Sequence, residues 1–155
     1  MDKFPALLTD QLPDRVKIRS DILALEEECR QMEQVDFPLT HTFAPGAYAR
    51  TIQLFAGKLV IGKIHRHAHL NIVSNGHVTV VTEYGRMDIK GPHVFTSQPG
   101  TKRALYVHTD TVWTTIHLTD SQDLAQIERE IIAPTYDDLP EGLLAECQAV
   151  LKELE

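Results

Sequence analysis

The segment GKIHRHAHLNIVSNG, residues 62–76, sets His65, His67 and His69 at alternate positions of an apolar-flanked run. Alternate side chains of a β-strand share one face, so three imidazoles at this spacing can project together. Neutral imidazole is the commonest protein ligand for divalent transition metals. Three of them leave coordination positions open for water or substrate. An all-nitrogen set suits Zn²⁺, Fe²⁺, Ni²⁺, Mn²⁺ or Cu²⁺ and, with open positions, can activate water or O₂ or polarise a carbonyl. The alternative use of such residues is as solvated or hydrogen-bonded strand histidines.

Other residues extend the candidate site. Arg103 offers a planar fork to a carboxylate or phosphate. Its neighbour Lys102 must point to the opposite strand face, so one of the two enters a pocket, or both are solvated loop charges. Lys63 and Ile61 share the face of His65, and Asn71 shares that of His69. Such a pocket is cationic on one side and suited to a small anion. In VWTTIHL, His117 alternates with Trp113 and Thr115, and it joins the cavity if that face is inward. The other face, Val112, Thr114, Ile116 and Leu118, looks like core packing. Tyr106 is a candidate ligand wall, while Tyr48, Tyr84 and Trp113 read as wall or interface aromatics. Glu83 is either a base or an exposed strand end.

The elements that position these residues follow from hydrophobic period. Residues 1–15 carry Pro5 and Pro13 without a clear period. Over 20–35, Ile22, Leu25, Cys29 and Met32 recur at helical spacing opposite Glu26, Glu27, Glu28 and Arg30, a surface helix that Pro38 ends. Short β-rich runs then fall at 47–55, 58–67, 69–73, 77–84, 86–89, 93–97, 103–108 and 111–118, divided by Ala56-Gly57, Asn75-Gly76, Tyr84-Gly85, Gly91-Pro92, Pro99-Gly100 and Thr109-Asp110. Asn75-Gly76 reads as a hairpin turn. Short strands with glycine turns and no intervening helix predict an antiparallel sandwich or small barrel. After it, TDSQDLAQIEREII reads as a helix capped by Asp120 or Ser121, striped by Leu124, Ile127 and Ile131, and stopped by Pro134. A last helix is predicted over 141–154.

At 155 residues the chain is about one domain long: an arm and helix over 1–45, a β-barrel over 46–119 and C-terminal helices over 120–155. Apolar residues at 43% and charged residues at 24% are ordinary globular usage. A net charge of -7 argues against nucleic-acid or anionic-membrane partners reached by bulk electrostatics. Between Thr40 and Thr119, however, Arg50, Lys58, Lys63, Arg66, Arg86, Lys90, Lys102 and Arg103 face only Glu83, Asp88 and Asp110. A local cationic pocket therefore fits an acidic protein. No apolar run reaches membrane-span length and the first residues lack a signal-peptide core, so a cytoplasmic protein is expected. Cys29 and Cys147 read as packing residues. Nucleotide-binding glycine loops, a Gly-x-Ser-x-Gly elbow and a basic recognition helix are absent.

The β-region resembles a cupin, the double-sheet jelly-roll family. Cupin motifs comprise Gly, His-x-His, Glu and Gly, then a Pro-x-Gly turn and a third His. His65 and His67 supply the pair, and His69, seven residues before Gly76, stands where the family carries its Glu. The resemblance places the last metal-binding His at Arg103, which is no metal ligand. His117 or His108 from neighbouring strands, water, or nothing could fill that position. The stretches FAPGAYAR, GKIHRHAHLNIVSNG, PGTKRALY and DTVWTTIHLTD also resemble small cupin-like proteins of tailed bacteriophages and prophages. The resemblance implies a cupin-type antiparallel jelly-roll barrel, mainly β, with one N-terminal and one or two C-terminal helices. It also implies a small-molecule, anionic ligand beside a divalent metal held by His65, His67, His69 and His117, with Arg103, Asn71, Lys63 and Tyr106 on the ligand. Oxygenase, isomerase or lyase chemistry, capture of a metabolite or nucleotide without turnover, and an oligomeric structural role all suit such a scaffold. A homodimer, acting in host cytoplasm if phage-encoded, is the expected assembly.

Overall fold

A computed structural model describes residues 12–139 of the chain. Helix α1 (Leu12–Arg30) is followed by strands β1 (Leu39–Ala44), β2 (Ala47–Leu54), β3 (Leu59–Ile61), β4 (Ile64–His65), β5 (His69–Thr82), β6 (Gly85–Lys90), β7 (His93–Ser97) and β8 (Ala104–Leu118). Helix α2 (Leu124–Ile131), strand β9 (Ile132–Ala133) and a 3₁₀ turn (Tyr136–Asp138) complete it. Cys147 and the helix expected over 141–154 lie outside the described residues.

All strand pairs are antiparallel, in the order β1-β2-β8-β5-β6, with β3 also on β8 and β7 also on β5. The two long strands each change partner along their length. β8 pairs β2 through Thr111–Leu118 and β3 through Ala104–Tyr106, while β5 pairs β7 through His69–Val73 and β6 through His77–Thr82. One continuous ladder thus bends into two leaves, which is how an antiparallel sheet encloses a core. Between the leaves pack Leu54, Val73, Val78, Val80, Ile89, Leu105, Val107 and Trp113. Separately, β4 pairs β9 at the mouth of the fold.

The bend corrects one sequence expectation. Asn75-Gly76 is not a hairpin turn but a bulge inside β5, where register against β8 shifts at Val73/Asn75, Asn75/His77 and His77/Val78. Thr109-Asp110 likewise lies within β8. Gly76 holds φ +105°, and a Cβ there would lie 2.2 Å from Thr111 Oγ1 and 2.6 Å from the Asp110 carbonyl oxygen. The chains approach so closely that only glycine fits.

Helix α1 begins and ends earlier than its apolar period suggests, and its Ile18 and Ile22 pack on Val81 and Ala104. Two ion pairs fix it to the sheet, Arg19 to Glu83 and Lys102 to Glu26, the latter at 2.7 Å. Glu83 is therefore buried and paired, not an exposed strand end, and Lys102 is buried under the helix, not solvated. The sheet begins at Leu39, ahead of the expected boundary at 46. Helix α2 is capped by Asp123, whose carboxylate accepts from the Ala125 and Gln126 amides, in place of Asp120 or Ser121. Among the described residues no helix is long and apolar enough to cross a membrane.

Gly76→Ala should cost about 2 kcal/mol or more in urea denaturation, because both the left-handed backbone and the contact with the β8 backbone resist a side chain. A variant within about 0.5 kcal/mol of the parent would show that the bulge is not tightly fixed.

Candidate active site

A cavity of about 400 Å³ opens between β2, β8 and α2. Strand alternation builds its walls. On β2, Tyr48, Arg50, Ile52 and Leu54 line it, and in register opposite stand His117, Thr115, Trp113 and Thr111 of β8. Val60, Ile61 and Leu105 supply more apolar wall, and Leu124, Ile127 and Ile131 of α2 close one side. Lys63 and Glu128 form an exposed ion pair that joins the segment before β4 to α2.

Three imidazoles meet at this cavity. The ring centroids of His65 and His69 are 4.3 Å apart, those of His69 and His117 4.9 Å, and those of His65 and His117 5.5 Å. His65 Nδ1 lies 3.1 Å from the Lys63 carbonyl oxygen, and His69 Nδ1 3.3 Å from that of His67. A carbonyl only accepts, so in both rings Nδ1 carries the proton and Nε2 presents a lone pair. Nε2 of His69 is buried without a hydrogen-bond partner. Burial, seconded by the charge of His69 and of Arg103, pushes His65 down to about 2. Burial and Arg103 push His69 to about 4, and burial, His69 and Arg103 bring His117 to about 4. All three are neutral at cellular pH, the ligating form.

Arg103 lies beside them, 8% exposed. One terminal nitrogen donates to Asn71 Oδ1 at 2.7 Å and Ser97 Oγ at 3.1 Å, and the guanidinium carbon sits 4.9 Å from the centroid of the Trp113 ring. Trp113 Nε1 also donates to Asn71 Oδ1, at 3.2 Å, and Asn71 Nδ2 to Ser97 Oγ, at 2.9 Å. Asn71, fully buried, is thus a fixed acceptor that orients both groups. No carboxylate pairs with Arg103 among the described residues, and its remaining N–H groups are left for a ligand. Burial, with the nearby charge of Arg50, lowers its pKa to about 10, still cationic at neutral pH.

Comparison with known proteins concerns fold. No family model and no curated protein matches the chain. Salicylate 1,2-dioxygenase from Pseudoaminobacter salicylatoxidans, in its adduct with gentisate, superposes at TM-score 0.50 with 16% identity, over 77% of this chain and 35% of that enzyme. The chain spans about a third of the enzyme's length. A putative ethanolamine utilization protein Q from Salmonella typhimurium LT2 gives 0.48 and 14% identity over 56% of this chain and 72% of that one. A cupin superfamily protein from Desulfitobacterium hafniense DCB-2 gives 0.47 and 11% identity over 57% and 83%. The chain has the cupin-type jelly-roll fold.

Within this cupin fold, Arg103, Lys63, His65 and His117 line the cavity, with His69 and Asn71 adjoining them. Two expected residues stand elsewhere. His67 is exposed at a bend between β4 and β5, because the HxHxH segment is not one continuous strand; its carbonyl, not its ring, serves the site. Tyr106, 38% exposed, points outward because its neighbours Leu105 and Val107 take the core face of β8. His108 is outward for the same reason. Tyr48 lines the cavity as a wall aromatic, while Arg50 and His41, which also line it, were missed as site residues. The even-numbered stripe Tyr48, Arg50, Ile52, Leu54 was the signal for Arg50.

The depressed histidines carry a pH signature. Near 6.5 each would protonate in the unfolded chain, yet the folded chain binds those protons only at about 4 or below. From pH 6.5 down to 4 the unfolded state gains protons that the folded state does not, and stability falls. Thermal melts of chelator-treated protein should therefore drop steeply across that window. A His65→Gln/His69→Gln/His117→Gln variant should be much flatter, and parallel profiles would refute a buried neutral triad.

Proposed function

We propose that this cavity binds a small organic anion between Arg103 and Arg50, beside a divalent metal held by His65, His69 and His117. The observation that carries the reading is the buried Arg103 without a carboxylate counter-charge. An uncompensated buried cation costs several kcal/mol, and an anionic ligand offsets that cost. Arg50, which lines the same cavity, makes no ion pair among the described residues and adds a second cationic group. The mixed lining, with Trp113, Ile52 and Leu105 among the charged groups, favours an anion with an apolar body.

The donors fit a metal in type and protonation, and His69 Nε2 is a buried donor atom awaiting a partner. Fixing Nδ1 on a backbone carbonyl is the usual way a protein sets the tautomer of a ligating imidazole. A metal there would supply Lewis-acid polarisation of a bound oxygen and open positions for water or O₂. Arg103 binds and orients the anion, Asn71 holds Arg103, and α2 limits water access. Capture of the anion without turnover is the second reading, favoured because the Arg103 cradle is complete without a metal. The phage-like stretches support a phage or prophage origin, and a homodimer in host cytoplasm is part of the proposal.

The test is calorimetry of metal-stripped and Zn²⁺-loaded protein with a panel of small mono- and dicarboxylates and inorganic phosphate. Arg103→Met should weaken the bound anion by one to two orders of magnitude, as expected for a charge-assisted bond of about 1.5 to 3 kcal/mol. If no anion binds the parent, or the variant binds equally well, the reading fails. His65→Gln/His69→Gln should lower bound metal by about one ion per chain while preserving anion binding by the metal-free protein.

A further inference from the structure

A second histidine group stands outside the cavity. His77 of β5, Asp88 of β6 and His108 of β8 each offer a donor atom within 4.8 Å of the other two. None of the three lines the cavity. They lie on the outer face, because Val78, Val80 and Val107, their alternating neighbours, fill the core. The three strands are adjacent in the sheet, so the backbone holds the group in place.

The side chains are already convergent. His77 Nε2 lies 2.8 Å from Asp88 Oδ1, and Thr79 Oγ1 lies 3.0 Å from the same oxygen and 2.7 Å from His108 Nε2. The two imidazoles stack with centroids 4.3 Å apart, and the Tyr106 ring meets His108 edge-on at 5.0 Å. Burial alone would raise the Asp88 carboxyl, but hydrogen bonds from His77 and Thr79 and the charges of His77 and His108 hold it below its ordinary value. Asp88 is thus an anion at neutral pH. Two imidazoles and a carboxylate make a facial N,N,O set, and exposure leaves the remaining positions to water. Protons now link donors that a metal would bridge.

We infer that His77, Asp88 and His108 form a divalent transition-metal site on the outer face of the sheet, separate from the cavity, that takes Zn²⁺ or a similar borderline cation. The ion would tie β6, β5 and β8 together, farther along the strands than the patch where α1 packs on Val81 and Ala104. Thr79, whose hydroxyl touches both Asp88 and His108, positions these two donors.

The cavity histidines are silenced to isolate this site. Metal-stripped full-length protein carrying His65→Gln/His69→Gln is titrated with Zn²⁺ by calorimetry and should still bind one ion per chain. Adding His77→Asn/His108→Asn should abolish that ion, and adding Asp88→Asn alone should weaken it about tenfold or more. Circular dichroism confirms that each variant is folded, as these exposed positions should allow. Zn²⁺ at a hundredfold excess over its dissociation constant should also raise the melting temperature by several degrees, an effect lost with His77 and His108. No saturable Zn²⁺ binding by the cavity variant, or unchanged binding after His77→Asn/His108→Asn, overturns the site. Because the cavity is tested by anion binding, its failure leaves this result standing, and the converse holds.

Discussion

Everything chemical in this fold depends on a break in the alternation of β5 around Gly76, where its register against β8 shifts. Before the bulge at Gly76 the odd positions face inward, His69, Asn71 and Val73; beyond it the even positions do, Val78 and Val80. β8 turns odd positions inward on both sides of the exposed Thr109, Leu105 and Val107 before it and Thr111, Trp113, Thr115 and His117 after it. A strand of strict period two would have carried His77 and Thr79 into the core or His69 and Asn71 out to solvent. The bulge permits neither conflict, and it separates an inner group of histidines from an outer one along a single strand. The close approach of Gly76 to Thr111 is the steric condition for that change of face.

The inner group is governed by Arg103. By resemblance its position belongs to a metal-binding histidine, and replacing a neutral ligand by a permanent cation changes what the cavity can hold. Asn71, Ser97 and Trp113 satisfy part of the guanidinium's fork without neutralising it. Together with burial, the same charge helps to keep His65, His69 and His117 unprotonated, so the imidazoles remain lone-pair donors beside a permanent cation. His117, brought in by the odd face of β8, restores a third nitrogen to the set.

Much of this was readable from residue order, and the failures share a cause. Alternation in VWTTIHL placed Trp113, Thr115 and His117 together, and adjacency on a strand separated Lys102 from Arg103 correctly. The glycine at 76 marked a break in alternation, but a hairpin and a bulge both produce one, and only the partner strand distinguishes them. The same ambiguity hid the outer site: His77, Asp88 and His108 are far apart in sequence and meet only through the order β6-β5-β8. His67 failed because a bend interrupts its strand, so spacing in sequence ceased to be spacing on a face. Strand β1 was missed because its residues are mostly exposed, which leaves no inward stripe to read.

The two histidine groups differ in what a metal must overcome. At the outer face Asp88 brings a negative charge to the donors, and water screens neighbouring cations. In the cavity no carboxylate belongs to the donor set, and a dication beside His65, His69 and His117 also stands near the buried charge of Arg103. In a medium of low polarity that repulsion is large. A bound anion bridging Arg103 and the imidazoles relieves both costs at once, so anion and metal must strengthen one another's binding by the same factor. On the proposed reading the cavity would be a coupled site, in which the ligand completes the metal's environment, while the outer set would be complete in its own residues.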